Sequence, residues 1–213
     1  PDGTPLPGEL WWDSSCTQRV KPLERLHQPH HQTITAQTQA QIYQELVSTA
    51  NSATDQCGHN SKPNGQLTTS FLSICSEVKD NRLLPHGYLS LEKRLKISKA
   101  LGADPAMAED SGSTAVGNDP DYRDGAGGGD TLKYVVELAD MKGMGRGLDK
   151  PTSVRARMSF QATPPFYLQD RFCTAKGDDT ARLYFLAGNL NLNNTAAADW
   201  KFAIADTGAV AIK

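Results

Sequence analysis

The sequence predicts a mainly β protein: an antiparallel β-sandwich with one or two short helices and an irregular N-terminal arm. Apolar and polar residues alternate with a period of two at 131–138 and at 153–160, which is typical of half-buried antiparallel strands. Short segments separated by turns rich in Gly and Asp favour a sandwich. A chain of 213 residues can form one such domain, which we place at 34–213, behind an arm at 1–33.

The first half of the predicted domain contains two apolar runs and one helix. Residues 40–47 fit a helix face as well as a strand, and we favour a strand because β-branched and aromatic residues lie in and before the segment. A second apolar run follows at 67–78. From Leu89 to Gly102 the apolar positions recur at helical spacing, and Gly102 is a natural stop. The acidic, glycine-rich stretch at 103–130 predicts a long loop.

The remaining segments are expected to complete the sandwich. The residues after Pro164-Pro165 have short helical spacing, which predicts a helical turn at one end of the sheets. The last strands are expected in two runs, "ARLYFLAG" and "DWKFAIADTGAVAI". Within the second run, Asp206-Thr207-Gly208 is the expected hairpin turn.

Composition and motifs exclude several classes of protein. The net charge of −2 comes without clustered Lys or Arg, which argues against a nucleic-acid partner. No apolar run approaches the roughly 20 residues of a membrane-spanning helix. The chain also lacks G-x-S-x-G, H-E-x-x-H and a phosphate-binding glycine loop, so the sequence does not predict an enzyme or any catalytic residue.

The histidine cluster is one candidate metal site. His27, His30 and His31 are close in sequence, and neutral imidazoles at this spacing can bind copper or zinc, or ligate the haem iron of a neighbouring chain. Pro29 lies inside the segment and weakens any helical arrangement of the three rings. Hydrogen-bonded surface histidines are the alternative interpretation.

The acidic loop is a second candidate, for calcium. Carboxylates on a flexible glycine-rich loop are the hard oxygen ligands that Ca²⁺ selects, and four aspartates fall within this stretch: Asp119, Asp121, Asp124 and Asp130. The order of residues is not that of an EF-hand. The alternative is a solvated acidic turn.

The string "VKDNRLLPHGY" at 78–88 places charged residues directly against an apolar pair. Asp80 and Asn81 can bond to backbone groups where a strand ends, and Arg82 can form a bidentate pair with a carboxylate such as Asp170. Pro85 and Gly87 would then turn the chain. We therefore interpret the string as structural.

Several phrases of the sequence together resemble a known family. They are "PHHQTIT…AQIYQELV", "GQLTTSF", "VKDNRLLPHGY", "NDPDYRDG…GGDTLKYVVEL" and "VRARMSFQATPPFYLQDRF". In this order they resemble the haem-free β-rich region at the C-terminal end of bacterial multihaem c-type cytochromes and related surface proteins. The resemblance spans roughly residues 29–205, and its most specific pieces are the strings "KDNRLLPHG" and "FQATPPFYLQDRF".

The resemblance implies a secreted module, periplasmic or extracellular, that accompanies a multihaem electron-transfer protein. No cysteine begins a C-x-x-C-H motif, so we expect no covalent c-type haem in this chain, and the partner would be a cytochrome domain or chain. The expected role is docking or structural support. The alternative is a bacterial surface protein that binds copper or calcium.

Four widely spaced cysteines, without a C-x-x-C pair, suit an oxidising compartment and one or two disulfides. Cys75 lies in an apolar run near the first of the two specific strings, and Cys173 follows the second. We therefore predict the pairs Cys75–Cys173 and Cys16–Cys57, although four cysteines allow three connectivities.

Overall fold

The computed structural model describes residues 28–36, 39–55, 57, 65–103, 113–137, 151–163, 165–175, 177–189, 194–196 and 201–212. Contacts between Cα atoms divide the chain into two compact units. The described part of one unit lies within Val20–Val135, and that of the other lies within Val136–Lys213. No described helix combines the length and the apolar character needed to cross a membrane.

The described residues of the first unit form five strands and one helix. The strands are β1 (Thr33–Ile34), β2 (Glu45–Ser48), β3 (Leu67–Thr68), β4 (Ser76–Asp80) and β5 (Lys133–Tyr134), and the helix is α1 (Leu91–Ala100). Strands β3, β2 and β4 form an antiparallel sheet in that order, whereas β1 and β5 form a parallel pair. Two 3-10 turns, Phe71–Ser73 and Pro120–Tyr122, lie in the connections.

Strand β4 is buried along its whole length, although its sequence is mostly polar. Its lysine, Lys79, has no exposed surface, and its Nζ donates to the carbonyl oxygens of Gln28 at 2.7 Å and Ile42 at 2.8 Å. Burial lowers the pKa of Lys79 to about 8, because desolvation penalises the ammonium form. The ammonium group therefore holds two other segments of the chain against β4.

The predicted helix is confirmed as α1. Its first turn contains Glu92 and its last turn contains Lys99, which suits the helix dipole. Gly102 has a φ of 68° and its N–H donates to Lys99 O at 3.2 Å, as expected of a glycine that ends a helix. The predicted strand at 40–47 is confirmed at its C-terminal end, as β2.

In the described part of the second unit there are four strands and two helices. They are β6 (Ser153–Val154), β7 (Arg157–Phe160), α2 (Pro165–Thr174), α3 (Asp178–Asn189), β8 (Phe202–Asp206) and β9 (Val210–Ala211). The antiparallel pairs are β6 with β9 and β7 with β8. The rings of Phe172 and Tyr184 meet edge to face, with centroids 5.1 Å apart, and this contact joins α2 to α3.

Three predictions about individual segments were wrong. The run "ARLYFLAG" lies in helix α3, because Asp178 and Asp179 suit the positive end of a helix and Tyr184 packs on Phe172 of the preceding helix. Of residues 131–137, which the structure describes in this segment, only the two of β5 form a strand, and these pair in parallel with β1. Asp206-Thr207-Gly208 is not a hairpin turn, because β8 and β9 pair with β7 and β6 instead of with each other.

The predicted half-burial of the strand at 153–160 was also wrong. Its described residues form β6 and β7, and both strands are exposed on every residue because their two-stranded sheets have little covering them within the described chain. Strand and helix content are roughly equal, and the strands form small sheets. A mainly β sandwich is therefore not confirmed.

The disulfide pairing also differs from the prediction. Cys57 bonds to Cys75, with their Cα atoms 4.4 Å apart, and Cys173 is also in a disulfide. Both predicted pairs, Cys75–Cys173 and Cys16–Cys57, are therefore wrong. The antiparallel order of β2, β3 and β4 brings the loop after β2 back to the start of β4, which the sequence spacing did not reveal. Cys16 lies outside the described residues.

Candidate functional site

Asn81, at the end of β4, connects three other segments of the first unit. Its side-chain Oδ1 accepts from the N–H of Gln44 at 2.9 Å, and its Nδ2 donates to Nδ1 of His30 at 3.2 Å. Its backbone oxygen accepts from the hydroxyl of Tyr122 at 2.6 Å. Because Asn81 has no exposed surface, these bonds satisfy groups that water does not reach. The geometry supports the structural interpretation of the string that contains it.

Arg82 lies in the same string but points toward solvent. Its Nε and Nη2 donate to the two carboxylate oxygens of Asp80 at 2.9 and 2.6 Å, and its Nη1 lies 2.9 Å from Oε2 of Glu45. The bidentate partner is thus Asp80, in place of the expected Asp170, because the chain turns directly after β4. Asp170 lies in α2, and its side chain is outside the described atoms. The Arg82 side chain is 57% exposed, so its ion pairs form at the protein surface.

The side chain of His30 is 2% exposed and has partners on both nitrogens. Its Nε2 lies 2.9 Å from Oδ2 of Asp119. Its Nδ1 lies 2.9 Å from Nε2 of Gln41 and 3.2 Å from Nδ2 of Asn81. The ring meets that of Tyr122 edge to face at 5.0 Å. Each polar atom of the imidazole is therefore bound by the protein.

The neighbouring amides determine which nitrogen of His30 carries the proton. Oε1 of Gln41 accepts from the N–H of His31 at 2.8 Å, and Oδ1 of Asn81 accepts from the N–H of Gln44, so both amides turn their NH₂ groups toward Nδ1. Nδ1 must then be an acceptor, and Nε2 carries the proton and donates to Asp119. In this arrangement the imidazole is neutral.

Asp119 is 3% exposed and receives several hydrogen bonds. It precedes the 3-10 turn at Pro120–Tyr122, where its Oδ1 accepts from the N–H of Asp121 at 2.8 Å. Burial raises the pKa of Asp119, but bonds from His30, from the Asp121 N–H and from Gln32 together hold it below the ordinary value. Asp119 is therefore a buried carboxylate at neutral pH.

Asp130, at the other end of the loop, is satisfied on one oxygen only. Its Oδ2 accepts from the hydroxyl of Tyr43 at 2.7 Å and from Nε2 of Gln41 at 3.2 Å. Its Oδ1 is buried and has no hydrogen-bond partner among the described residues. Burial, with the neighbouring Asp130, raises the pKa of Tyr43, so the phenol keeps its proton and remains a donor.

The other two aspartates of the loop have different partners. Asp121 accepts from the N–H of Thr131 at 2.8 Å, which closes the loop on itself. Asp124 accepts from the N–H of Ser90 at 2.8 Å and also binds Nζ of Lys93, at the start of α1. The four carboxylates that the sequence suggested for calcium are thus divided among three places.

The other histidines of the cluster do not join His30 in one site. Nε2 of His31 lies 3.1 Å from Oε1 of Gln28, and burial, with the positive charge of Lys79, lowers the pKa of His31. His27 lies outside the described residues. His30 instead groups with two residues of the acidic loop, Asp119 and Asp130, and ligand atoms of the three lie within 4.8 Å of one another. Within the described chain this is the one group of such side chains.

These residues fit oxygen-seeking ions better than nitrogen-seeking ones. Copper or zinc bound through His30 needs a lone pair on one nitrogen and a proton on the other. Here Nε2 carries the proton, and moving it to Nδ1 would set an N–H against the amides of Gln41 and Asn81. The carboxylates of Asp119 and Asp130 need no such change.

Sequence reasoning named His30, Asp119 and Asp130 but assigned them to two separate sites. It missed Gln41, which bonds to both His30 and Asp130, and Tyr43, which donates to Asp130. Both lie in the string "AQIYQELV", one of those that carry the family resemblance, but nothing in that string predicts a polar contact across 89 residues, as between Gln41 and Asp130. Comparisons with protein-family models, with curated proteins and with solved structures gave no match.

Proposed function

We propose that this chain is a haem-free module of a bacterial multihaem cytochrome system, and that it contributes a docking surface for the haem-bearing chain or domain. The five strings that resemble such cytochromes support the association. The Cys57–Cys75 disulfide supports a periplasmic or extracellular location, where disulfides persist. A sandwich architecture for the module stays a prediction.

The observation that carries the docking role is the exposed apolar surface of the paired strands in the second unit. Phe160 lies opposite Phe202, and Val154 lies opposite Val210, yet all four side chains are about half exposed. Met158, Ile204 and Ile212 are exposed to a similar degree. Two-stranded ribbons are marginal in water by themselves, so a partner that covers this surface would stabilise it.

The charge beside this surface suits a haem edge. Asp206, at the end of β8, binds the guanidinium groups of both Arg155 and Arg157, at 2.5 and 3.1 Å. Two cations share one carboxylate, which leaves one positive charge next to an apolar surface. The exposed edge of a haem has the complementary chemistry, an apolar rim with carboxylate groups.

The test is direct binding to purified multihaem c-type cytochromes of the organism that makes this chain, added one at a time to the immobilised full chain. We expect one of them to bind, with retained haem absorbance as the readout, and Phe160→Ser with Phe202→Ser to weaken binding at least tenfold. Leu72→Ser is the matched control, because Leu72 is 99% exposed but lies in the other unit. Circular dichroism checks that each variant is folded.

Two results would reject the proposal. One is that none of the cytochromes binds. The other is that Leu72→Ser weakens binding as much as the double substitution does. If the parent chain instead associates with itself through Phe160 and Phe202, as measured by analytical ultracentrifugation, the apolar surface is an interface between copies of this chain and the docking role is wrong.

A further inference from the structure

The group of His30, Asp119 and Asp130 holds more negative than positive charge. Two carboxylates face one imidazole, so their negative charge exceeds any positive charge that a single imidazole can carry. Among the described residues, no Lys or Arg side chain forms an ion pair with either carboxylate. Asp119 is buried and Asp130 is partly buried, so the protein screens the repulsion between two such carboxylates less than water would.

An independent observation at Asp130 points to a missing partner. Buried carboxylate oxygens in folded proteins nearly always accept a hydrogen bond or bind a cation. Oδ2 of Asp130 has two donors, from Tyr43 and Gln41, but the buried Oδ1 has none among the described residues. A group that is not a side chain of this network is needed to satisfy it.

We propose that Asp119 and Asp130 bind a hard divalent cation of the Ca²⁺ type, with His30 as a positioning residue that donates to Asp119. Two oxygens on one Ca²⁺, each about 2.3–2.6 Å from the ion, are at most about 5 Å apart. The ligand atoms of this group lie within 4.8 Å of one another, which is compatible with that spacing. Backbone carbonyls and waters would complete the six to eight ligands that Ca²⁺ takes.

The partners of the remaining loop carboxylates keep them out of this site. Asp121 caps the N–H of Thr131, and Asp124 binds the first turn of α1. The site thus contains two of the four aspartates that the sequence suggested. It also does not depend on the docking role, because it lies wholly within the first unit.

The test measures thermal unfolding of the full chain after chelation, then with Ca²⁺ or Mg²⁺ added. We expect Ca²⁺ at about 100 times its dissociation constant to favour the folded state about a hundredfold, which raises the melting temperature by several degrees. Mg²⁺ should do less, because its small octahedral shell suits a two-carboxylate loop site poorly. Asp130→Asn should abolish the Ca²⁺ shift, because it removes one of the two carboxylates of the site.

Asp124→Asn is the matched control, since it lies in the same loop but outside the site, and it should keep the full Ca²⁺ shift. A second readout does not depend on stability. Tb³⁺ substitutes for Ca²⁺ and emits light when a tyrosine nearby is excited, and the hydroxyl of Tyr43 lies 2.7 Å from Oδ2 of Asp130. Tyr43→Phe replaces the absorbing phenol with a ring that absorbs far more weakly, so emission should fall.

The proposal is wrong if calorimetry detects no Ca²⁺ binding, or if Asp124→Asn loses the shift while Asp130→Asn keeps it. Tight Zn²⁺ binding in place of Ca²⁺ binding, with the His30 proton found on Nδ1 by NMR, would also overturn it, because it would make His30 a ligand. Failure of the docking experiment leaves these outcomes unaffected, so the two proposals can fail separately.

Discussion

The side-chain amide of Asn81 donates to Nδ1 of His30 and joins two residues 51 positions apart in the chain. The same amide accepts from the N–H of Gln44, so its orientation is determined on both sides. Asn81→Ala should lower the free energy of unfolding by about 2 kcal/mol, because a buried N–H loses its acceptor and His30 loses a donor. Urea denaturation measures this loss.

The control for Asn81 is Asn51→Ala. Asn51 is exposed in the loop after β2, so its substitution should change the free energy of unfolding by no more than about 0.5 kcal/mol. Equal effects of the two substitutions would contradict a special role for Asn81. Nitrogen NMR of the parent should also find the proton of His30 on Nε2.

The lowered pKa of Lys79 predicts that the stability of the folded chain depends on pH above neutrality. Its pKa of about 8 in the folded chain is lower than the ordinary 10.5, so between these values the unfolded chain binds more protons. Stability should therefore rise with pH, by about 1–2 kcal/mol from pH 8 to pH 9.5. The pH series should end at 9.5. Above pH 10 the raised pKa values of Tyr43 and Tyr122 make stability fall as the pH rises, which opposes the effect of Lys79.

Substitution of Lys79 by Met should remove this rise and leave two carbonyls without a donor, whereas Lys99→Met, on the exposed end of α1, should preserve it. If the Lys79 variant does not fold, carbon NMR of the lysine Cε in the parent gives the same information. A lysine that titrates only near pH 10.5 in the folded state would contradict the prediction.

Arg82→Ala should cost only about 1 kcal/mol. The side chain is 57% exposed, and exposed ion pairs contribute little because water and salt screen them. The cost comes mainly from Asp80, whose side chain is 6% exposed and loses its guanidinium partner. Chemical denaturation at low and high salt measures the effect, which should shrink as salt is added. A loss of several kcal/mol that is independent of salt would show that Arg82 is a buried anchor after all.

Replacing both Cys57 and Cys75 by Ala should destabilise the first unit by about 3 kcal/mol, because the disulfide closes a loop with a sequence separation of 18 residues. A reducing agent should give a similar loss in the parent and none in the double variant beyond the effect of reducing Cys173. Non-reducing peptide mapping should recover Cys57 linked to Cys75. Recovery of Cys75 linked to Cys173 would contradict the structure.

Local patterns predicted local structure well and long-range contacts poorly. Helix α1 follows from apolar spacing and from Gly102, and strand β7 from alternation, because neighbouring residues decide both. Helix α3 was missed because an apolar run of that length fits either element, and its contact between Tyr184 and Phe172 is not visible in the run itself.

At the candidate site, too, the sequence indicated the residue types but not the long-range contacts. The residue types of Asp119 and Asp130 suggested a cation site, since carboxylate oxygens are ligands that Ca²⁺ selects. Their meeting with His30 depends on Gln41 and on the end of β4, which tertiary packing alone brings together. Sequence spacing carries no information about such a meeting.

The large sequence separations between Asn81 and its partners also bear on how the first unit folds. Its partners lie 37, 41 and 51 residues away, so none of its contacts forms with a near neighbour. Bringing such distant segments together costs chain entropy before any hydrogen bond between them can form. Domains that depend on contacts between distant residues therefore fold slowly. Helix α1 can form early from local contacts, whereas the contacts of the buried network around β4 must form together, after the distant segments have met. A newly made chain would thus expose the strings around β4 for longer than its helices.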